Sequence, residues 1–75
     1  MWKVVGFKCR DSEKGRFYDV FLQRECSAPG VGLECMRGDF SARRCSYVPE
    51  LNDIVAVSMD SYNGRRYISE IYKVG

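Results

Sequence analysis

A chain of 75 residues, 45% hydrophobic and 29% charged with a net charge of +2, has the composition of a globular domain and not of a disordered segment. The length predicts one domain over residues 1–75 and excludes a second domain or a deep active-site cleft. No apolar run approaches the ~18 residues that span a membrane, and the first residues do not resemble a signal peptide, so we expect a cytoplasmic protein without membrane contact.

Two strand-like segments separated by a polar loop predict a β-hairpin in the first part of the chain. These segments are residues 4–10 and 16–24, in which apolar and polar side chains alternate. A third, weaker strand is predicted over residues 31–40, where Gly32 and Gly38 indicate a bulge or a bend.

Alternation divides the first two strands into an apolar face and a mixed face. The apolar face of the first strand is predicted to hold Val5, Phe7 and Cys9. Its mixed face is predicted to hold Trp2, Val4, Gly6, Lys8 and Arg10. In the second strand the apolar face is Tyr18, Val20 and Leu22. The mixed face of that strand is Phe17, Asp19, Phe21 and Gln23.

The last third of the chain carries the clearest signal, a second β-hairpin. Residues 54–59 and 65–74 are rich in β-branched and apolar residues, and Asn63-Gly64 between them favours a type I′ turn. The connector, residues 41–52, is compatible with a short helix, a short strand or a loop. No window of the chain has sustained helical spacing, so no long helix is expected.

Five short strands favour closure of the sheet, because closure removes the exposed edges. We therefore predict an all-β fold, a small five-stranded OB-like β-barrel with little or no helix. An SH3-like barrel is the alternative, since it also accommodates five short strands.

Several turn and strand-entry motifs resemble those of a known group of proteins. The motifs are Gly6-Phe7, Lys14-Gly15-Arg16, residues 30–34, residues 49–55 and Tyr62-Asn63-Gly64. Spread over nearly the whole chain, they resemble very short proteins of phages and mobile elements of Gram-positive bacteria, encoded beside replication or transfer genes. The resemblance implies an OB-fold protein that binds single-stranded DNA. Asn52 replaces a glycine of the family's motif and can also take a positive φ angle.

Catalysis and metal binding have little support in the sequence. The chain lacks histidine, a nucleophile elbow and a phosphate-binding glycine loop, so we expect no enzymatic activity and no cofactor. The four cysteines are spread singly without a C-x-x-C pair, which argues against a metal site and favours reduced, mostly buried thiols.

Interleaved aromatic and basic residues point to nucleic acid, because aromatic faces stack on bases and cations follow the phosphates. Phe17 and Phe21 are predicted to form an exposed platform, since Asp19 and Gln23 on the same face should not both be buried. The alternative is that the barrel covers this face. The predicted nucleic-acid-binding residues are Trp2, Arg16, Phe17, Phe21, Arg24, Arg37, Arg65, Arg66 and Tyr67.

For three of these residues a purely structural role is also compatible with the sequence: Trp2 as a cap on an open barrel end, and Arg65-Arg66 as charges that solubilise an exposed turn. The predicted function is that of a non-enzymatic module that binds single-stranded nucleic acid in phage or mobile-element replication or transfer. DNA is favoured as the ligand. RNA is an alternative ligand. The alternative function is a protein-interaction module of the same architecture, which binds a replication or phage protein. The low net charge predicts weak binding unless copies form a weak homo-oligomer.

Overall fold

Five antiparallel strands make up the computed structural model, which describes residues 1–74 and contains no helix within them. The strands are β1 (Trp2–Ser12), β2 (Gly15–Glu25), β3 (Leu33–Ser41), β4 (Ile54–Tyr62) and β5 (Arg65–Lys73). The all-β prediction is confirmed, and each predicted strand overlaps an observed one. It follows that nothing in residues 1–74 forms a helix long and apolar enough to cross a membrane.

The backbone conformations of the turns agree with those that the local sequence predicts. Asn63 and Gly64 have φ angles of 51° and 77°, the two successive positive values expected of the turn between β4 and β5. Asn52 has a φ of 71°, so it adopts the left-handed conformation inferred for it. Both predictions are confirmed. They could be made from the sequence because these turn conformations depend on a few neighbouring residues.

The strand order β3-β2-β1-β4-β5 describes a Greek key. Strands β1 to β3 form a meander, and the connector then returns the chain to the side of β1. Pairing between β1 and β4 is short, with Trp2 opposite Val55 and Lys3 opposite Ile54. The sheet curls until its edge strands β3 and β5 contact each other, but no ladder joins them within residues 1–74. The sheet is therefore not closed.

The core lies on one face of β2 and beneath the β4–β5 hairpin. The buried hydrophobic residues are Val4, Tyr18, Val20, Leu22, Phe40, Cys45, Val55, Ile68 and Ile71. The apolar face predicted for β2 is confirmed, because Tyr18, Val20 and Leu22 are all buried.

A bulge in β1 makes the predicted faces of that strand partly wrong. The register shifts between Val4 and Gly6, so an extra residue reverses the alternation at this point. Val4, assigned to the mixed face, is fully buried opposite Leu22. Beyond the bulge Phe7 faces the core side, opposite Val20, yet 41% of it stays exposed. It is exposed because β1 pairs with β4 only at its first two residues.

Gly38 allows β5 to approach β3. A Cβ atom at this position would lie 2.7 Å from both Cγ1 and Cδ1 of Ile68, whose side chain is fully buried. A larger residue would therefore overpack the core at the contact between the two edge strands.

The connector is a loop with turns, neither a helix nor a strand. It is held at the start of β4 by Tyr47, whose hydroxyl donates a 2.6 Å hydrogen bond to Oδ2 of the buried Asp53. Burial raises the pKa of Tyr47, and the hydrogen bond to Asp53 adds to the rise. The Asp53 carbonyl in turn accepts a hydrogen bond from the Val4 amide at 2.9 Å. The connector thus stabilises the short junction between β1 and β4.

The cysteines differ from the expectation of mostly buried thiols. Cys45 is buried and Cys26 half-buried, whereas Cys9 and Cys35 are exposed, so the expectation is wrong for the last two. Burial raises the pKa of the Cys45 thiol. Within residues 1–74 no three His, Cys, Asp or Glu side chains form a group that could hold a metal ion.

Candidate nucleic-acid interface

The outer face of β1, β2 and β3, on the side opposite the core, carries aromatic and basic residues in cross-strand rows. Residues directly opposite each other on antiparallel strands share a face. The rows are Arg10–Phe17–Ser41, Lys8–Asp19–Asp39 and Gly6–Phe21–Arg37. We define the aromatic–basic face as Lys8, Arg10, Phe17, Asp19, Phe21, Arg37 and Asp39.

Phe21 lies between two cations on this face. Lys8 Nζ is 5.9 Å and Arg37 Cζ is 5.6 Å from the centroid of its ring. Gly6 lies opposite Phe21, and a Cβ atom there would come within 3.3 Å of the ring. The glycine therefore leaves space for the half-buried ring beside β1. Neither Lys8 nor Arg37 forms a salt bridge with the described part of the chain.

Two carboxylates in the middle of the face are held by arginines. Arg10 Nε donates to Asp19 Oδ2 at 3.0 Å, and Asp19 is only 5% exposed. Asp39 Oδ2 accepts from Arg65 Nη2 at 2.8 Å and, more weakly, from Arg10 Nη2 at 3.5 Å. The platform was inferred on the premise that Asp19 and Gln23 should not both be buried. The two are not both buried, since Gln23 is half-buried, but Asp19 is buried as a paired and hydrogen-bonded carboxylate.

Phe17 is half-buried and lies at the other end of the face from Phe21. Arg10 Cζ is 5.4 Å from the centroid of its ring. Because Arg10 is also bound to Asp19, this guanidinium is held between a ring and a carboxylate. Phe17 and Phe21 are thus both partly covered by neighbouring side chains, while part of each ring remains accessible.

The tip of the β4–β5 hairpin brings two more arginines to this face. Arg65 and Arg66 follow the turn at the start of β5, and both border a hollow that also includes Arg37 and Asp39. Together with Lys8 and Arg10 these arginines make five cations against Asp19 and Asp39. The local net charge is thus +3, although the whole chain carries only +2.

A cleft of about 500 Å³ opens between the β2–β3 side of the sheet and the β4–β5 hairpin. Its lining is aromatic and basic with one carboxylate. The lining residues are Arg10, Phe17, Asp39, Phe40, Ser41, Arg44, Tyr62, Arg65, Tyr67 and Ile68. Tyr67 is half-buried, and Arg44 Cζ lies 5.3 Å from the centroid of its ring.

Trp2 and Arg24, also predicted to bind nucleic acid, lie on the opposite side of the sheet. Arg24 Cζ stacks 4.1 Å from the Trp2 ring centroid on the core side of the sheet. Trp2 packs against the core, and Arg24 Nε binds Glu34 Oε2 at 2.6 Å. Trp2 thus has a packing role on the core side, and its alternative role as a cap on an open barrel end stays a prediction.

Arg16 also lies on the other side of the sheet, opposite Asp11 at the β1–β2 turn. Its Nε donates to Asp11 Oδ1 at 2.9 Å. The hydrogen bond and the charge of Arg16 lower the pKa of Asp11. The structure therefore brings together Phe17, Phe21, Arg37, Arg65, Arg66 and Tyr67, and separates Trp2, Arg16 and Arg24 from them.

Several residues of the interface were missing from the sequence-based set: Lys8, Arg10, Asp39, Arg44 and Tyr62. For Lys8 and Arg10 a usable signal exists, since Ser12 pairs with Gly15 and this short turn places them beside Phe21 and Phe17. The other three depend on the contact between distant strands. Comparison with protein-family models, curated proteins and solved structures gives no match for this chain.

Proposed function

We propose that this chain is a non-enzymatic protein that binds single-stranded nucleic acid, and that single-stranded DNA is the favoured ligand. We also propose that its sheet is a partly open OB-like barrel. The Greek-key order and the contact between β3 and β5 support this fold class. In such barrels the face of strands 2 and 3 and the loop between strands 4 and 5 bind oligonucleotides. The aromatic–basic face and Arg65-Arg66 occupy the corresponding positions.

The observation that carries the proposal is Phe21 between Lys8 and Arg37. A base stacked on an aromatic ring contributes ~1–3 kcal/mol, and its flanking phosphates need cations on either side of the ring. Both cations lack a salt bridge to the described residues, so their charge is available to a ligand. Phe21, Lys8 and Arg37 thus offer a stacking surface and phosphate contacts together.

The carboxylates limit the number of phosphates that this face can neutralise. Arg10 and Arg65 are bound to Asp19 and Asp39, which leaves Lys8, Arg37 and Arg66 as the main phosphate contacts. Weak binding to a short segment of the strand follows. A role in phage or mobile-element replication or transfer rests on the resemblance of the motifs alone.

Fluorescence anisotropy of a labelled thirty-nucleotide oligo-dT, titrated with the protein at ~50 and ~200 mM salt, tests the proposal. Three to four phosphate contacts predict an affinity roughly 20- to 50-fold weaker at the higher salt, with the slope of about −0.7 per contact of single strands. Absence of binding, or binding that salt does not change, would contradict the proposal. The same titration with oligo-U compares RNA with DNA.

The unpaired edge of β1 supports a second candidate, a protein-interaction module. Beyond Val4, whose amide and carbonyl are hydrogen-bonded to Asp53 and Asn52, β1 pairs only with β2, which leaves backbone groups on its other edge for an added strand. Val5 and Phe7 on this strand are 45% and 41% exposed. Self-pairing through this edge would give a weak homo-oligomer.

Sedimentation equilibrium over a series of protein concentrations tests self-pairing. We expect association that persists at high salt and is abolished by Phe7→Lys, because a charge disfavours edge-to-edge pairing. A monomer at every concentration would contradict self-pairing through β1.

A further inference from the structure

The cleft between β3 and β5 contains a carboxylate with an unused acceptor. Asp39 Oδ2 accepts from Arg65 and Arg10. Its other oxygen, Oδ1, accepts no hydrogen bond from residues 1–74. The Asp39 side chain is 18% exposed, and it lines the cleft. No buried side-chain oxygen of residues 1–74 lacks a partner, so Oδ1 is open to the cleft, where a ligand can donate a hydrogen bond to it.

The walls of the cleft suit a flat, aromatic ligand. Phe17, Tyr62 and Tyr67 supply rings, and the volume of about 500 Å³ lies within the range of small-molecule sites. Arg44 at the rim and Arg65 beside Asp39 carry positive charge toward the same space. One nucleobase with its sugar, entering as part of an extended strand, matches the size, the apolar walls and the charge.

We propose that the cleft takes one base of the bound strand and prefers bases that carry an exocyclic amino group. This inference rests on the proposed nucleic-acid function of the neighbouring face. Asp39 Oδ1 can accept a hydrogen bond from the amine of cytosine, as acidic side chains do when they read this base. Thymine and uracil present a carbonyl oxygen at that position, which the carboxylate repels. The preference thus arises from an unpaired acceptor and not from the phosphate contacts.

Anisotropy titrations of labelled thirty-nucleotide oligo-dC and oligo-dT against the unaltered protein test this inference. Both strands carry equal charge, so their phosphate contacts are matched and the ratio of the two Kd values reports on the base. We expect oligo-dC to bind roughly 5-fold tighter or more, as a well-formed side-chain contact to a base allows. Equal affinities, or tighter binding of oligo-dT, would overturn the inference and leave the proposed function intact. If neither strand binds, the proposed function fails as well.

The Asp39→Asn variant tests whether the preference for oligo-dC arises in the cleft. Arg10 and Arg65 need an acceptor where Oδ2 lies, so the amide oxygen of Asn takes that place and its NH2 group replaces Oδ1. The acceptor for the cytosine amine is then lost, so we expect the ratio between oligo-dC and oligo-dT to fall toward one. Because Arg10 and Arg65 lose a charged partner, the affinity for oligo-dT should hold or rise. A variant that has merely unfolded would instead lose affinity for both strands.

Glu70→Gln is the matched control, because it removes one negative charge at an exposed position of β5 that borders neither hollow. It should retain the preference for oligo-dC. A preference that survives in Asp39→Asn, or that disappears equally in Glu70→Gln, would contradict the assignment to Asp39.

Discussion

Two aromatic–cation stacks on opposite sides of the sheet look alike in sequence but differ in what surrounds them. Phe21 lies between Lys8 and Arg37 on the aromatic–basic face, and Trp2 lies under Arg24 on the core side. The Trp2 stack is the closer one, at 4.1 Å. Distance alone would therefore select the wrong stack as the binding site.

The difference lies in the remaining charge of each cation. Glu34 binds Arg24 at 2.6 Å and neutralises it, while Trp2 uses its ring surface against the core. Around Phe21 neither cation is paired with a carboxylate of the described chain. An arginine over an aromatic ring thus indicates a ligand site only when its charge and part of the ring are still available.

Removing the aromatic ring of each stack should give the largest difference between the two surfaces. Phe21→Ala should weaken binding to oligo-dT by roughly 5- to 150-fold, the equivalent of one stacked base. Trp2→Ala should leave the affinity of the folded protein unchanged but lower the free energy of unfolding by roughly 2–3 kcal/mol, because the ring packs on the core. Anisotropy measures the first effect and urea denaturation the second.

Equal losses of affinity in folded Phe21→Ala and Trp2→Ala would show that the two stacks are equivalent. A Phe21→Ala protein that binds normally would remove the basis of the proposed site.

Neutralising one arginine of each stack should give a smaller difference, in the salt dependence of binding. Arg37→Gln should remove one phosphate contact and reduce the slope of log affinity against log salt by about 0.7. Arg24→Gln is the matched control with the same change of charge, and its slope should stay unchanged because Glu34 already neutralises Arg24. Titrations at several salt concentrations supply both slopes. A slope that falls equally in the two variants would point to general attraction by net charge.

Alkaline pH should lower the free energy of unfolding through the junction between β1 and β4, where Asp53 links Tyr47 to the Val4 amide. The pKa of Tyr47 is raised by folding above its ordinary value of 10.0, so the folded protein keeps this proton to higher pH than the unfolded chain. The stability contributed by Tyr47 is complete below pH 10 and is lost as the pH rises above it.

Urea denaturation across this pH range, with Tyr47→Phe for comparison, measures the effect. The variant should lose about 1–3 kcal/mol at neutral pH, since Asp53 Oδ2 is left without its donor and only the 3.5 Å ion pair of Oδ1 with Lys73 remains. Its stability should also decline less steeply above pH 10. Tyr72→Phe, which removes a hydroxyl from an exposed side chain, should decline as the unaltered protein does. An identical decline for Tyr47→Phe would contradict the role given to Tyr47.

The core face of β2 and the two hairpins could be predicted because they depend on alternation and turn residues. The faces of β1 could not, since the bulge at Val5 results from how β1 follows the curl of the sheet. In the same way the nine predicted site residues divide between two surfaces. Trp2 lies on the core side because the bulge reverses the alternation before Gly6. Arg16 and Arg24 lie on that side because they alternate with Phe17 and Phe21 along the unbroken β2.

By itself the sequence determined the five strands, the left-handed turns at Asn52 and Asn63-Gly64, and the buried face of β2. These features follow from backbone conformations and side-chain periods within a few residues. The tertiary structure alone decided that Asp19 is buried beside Arg10 and that Ile68 packs on Gly38. It also brought Arg65 to Asp39 across the contact between β3 and β5. Such pairings join residues distant in sequence, and they depend on strand register and on the curl of the whole sheet.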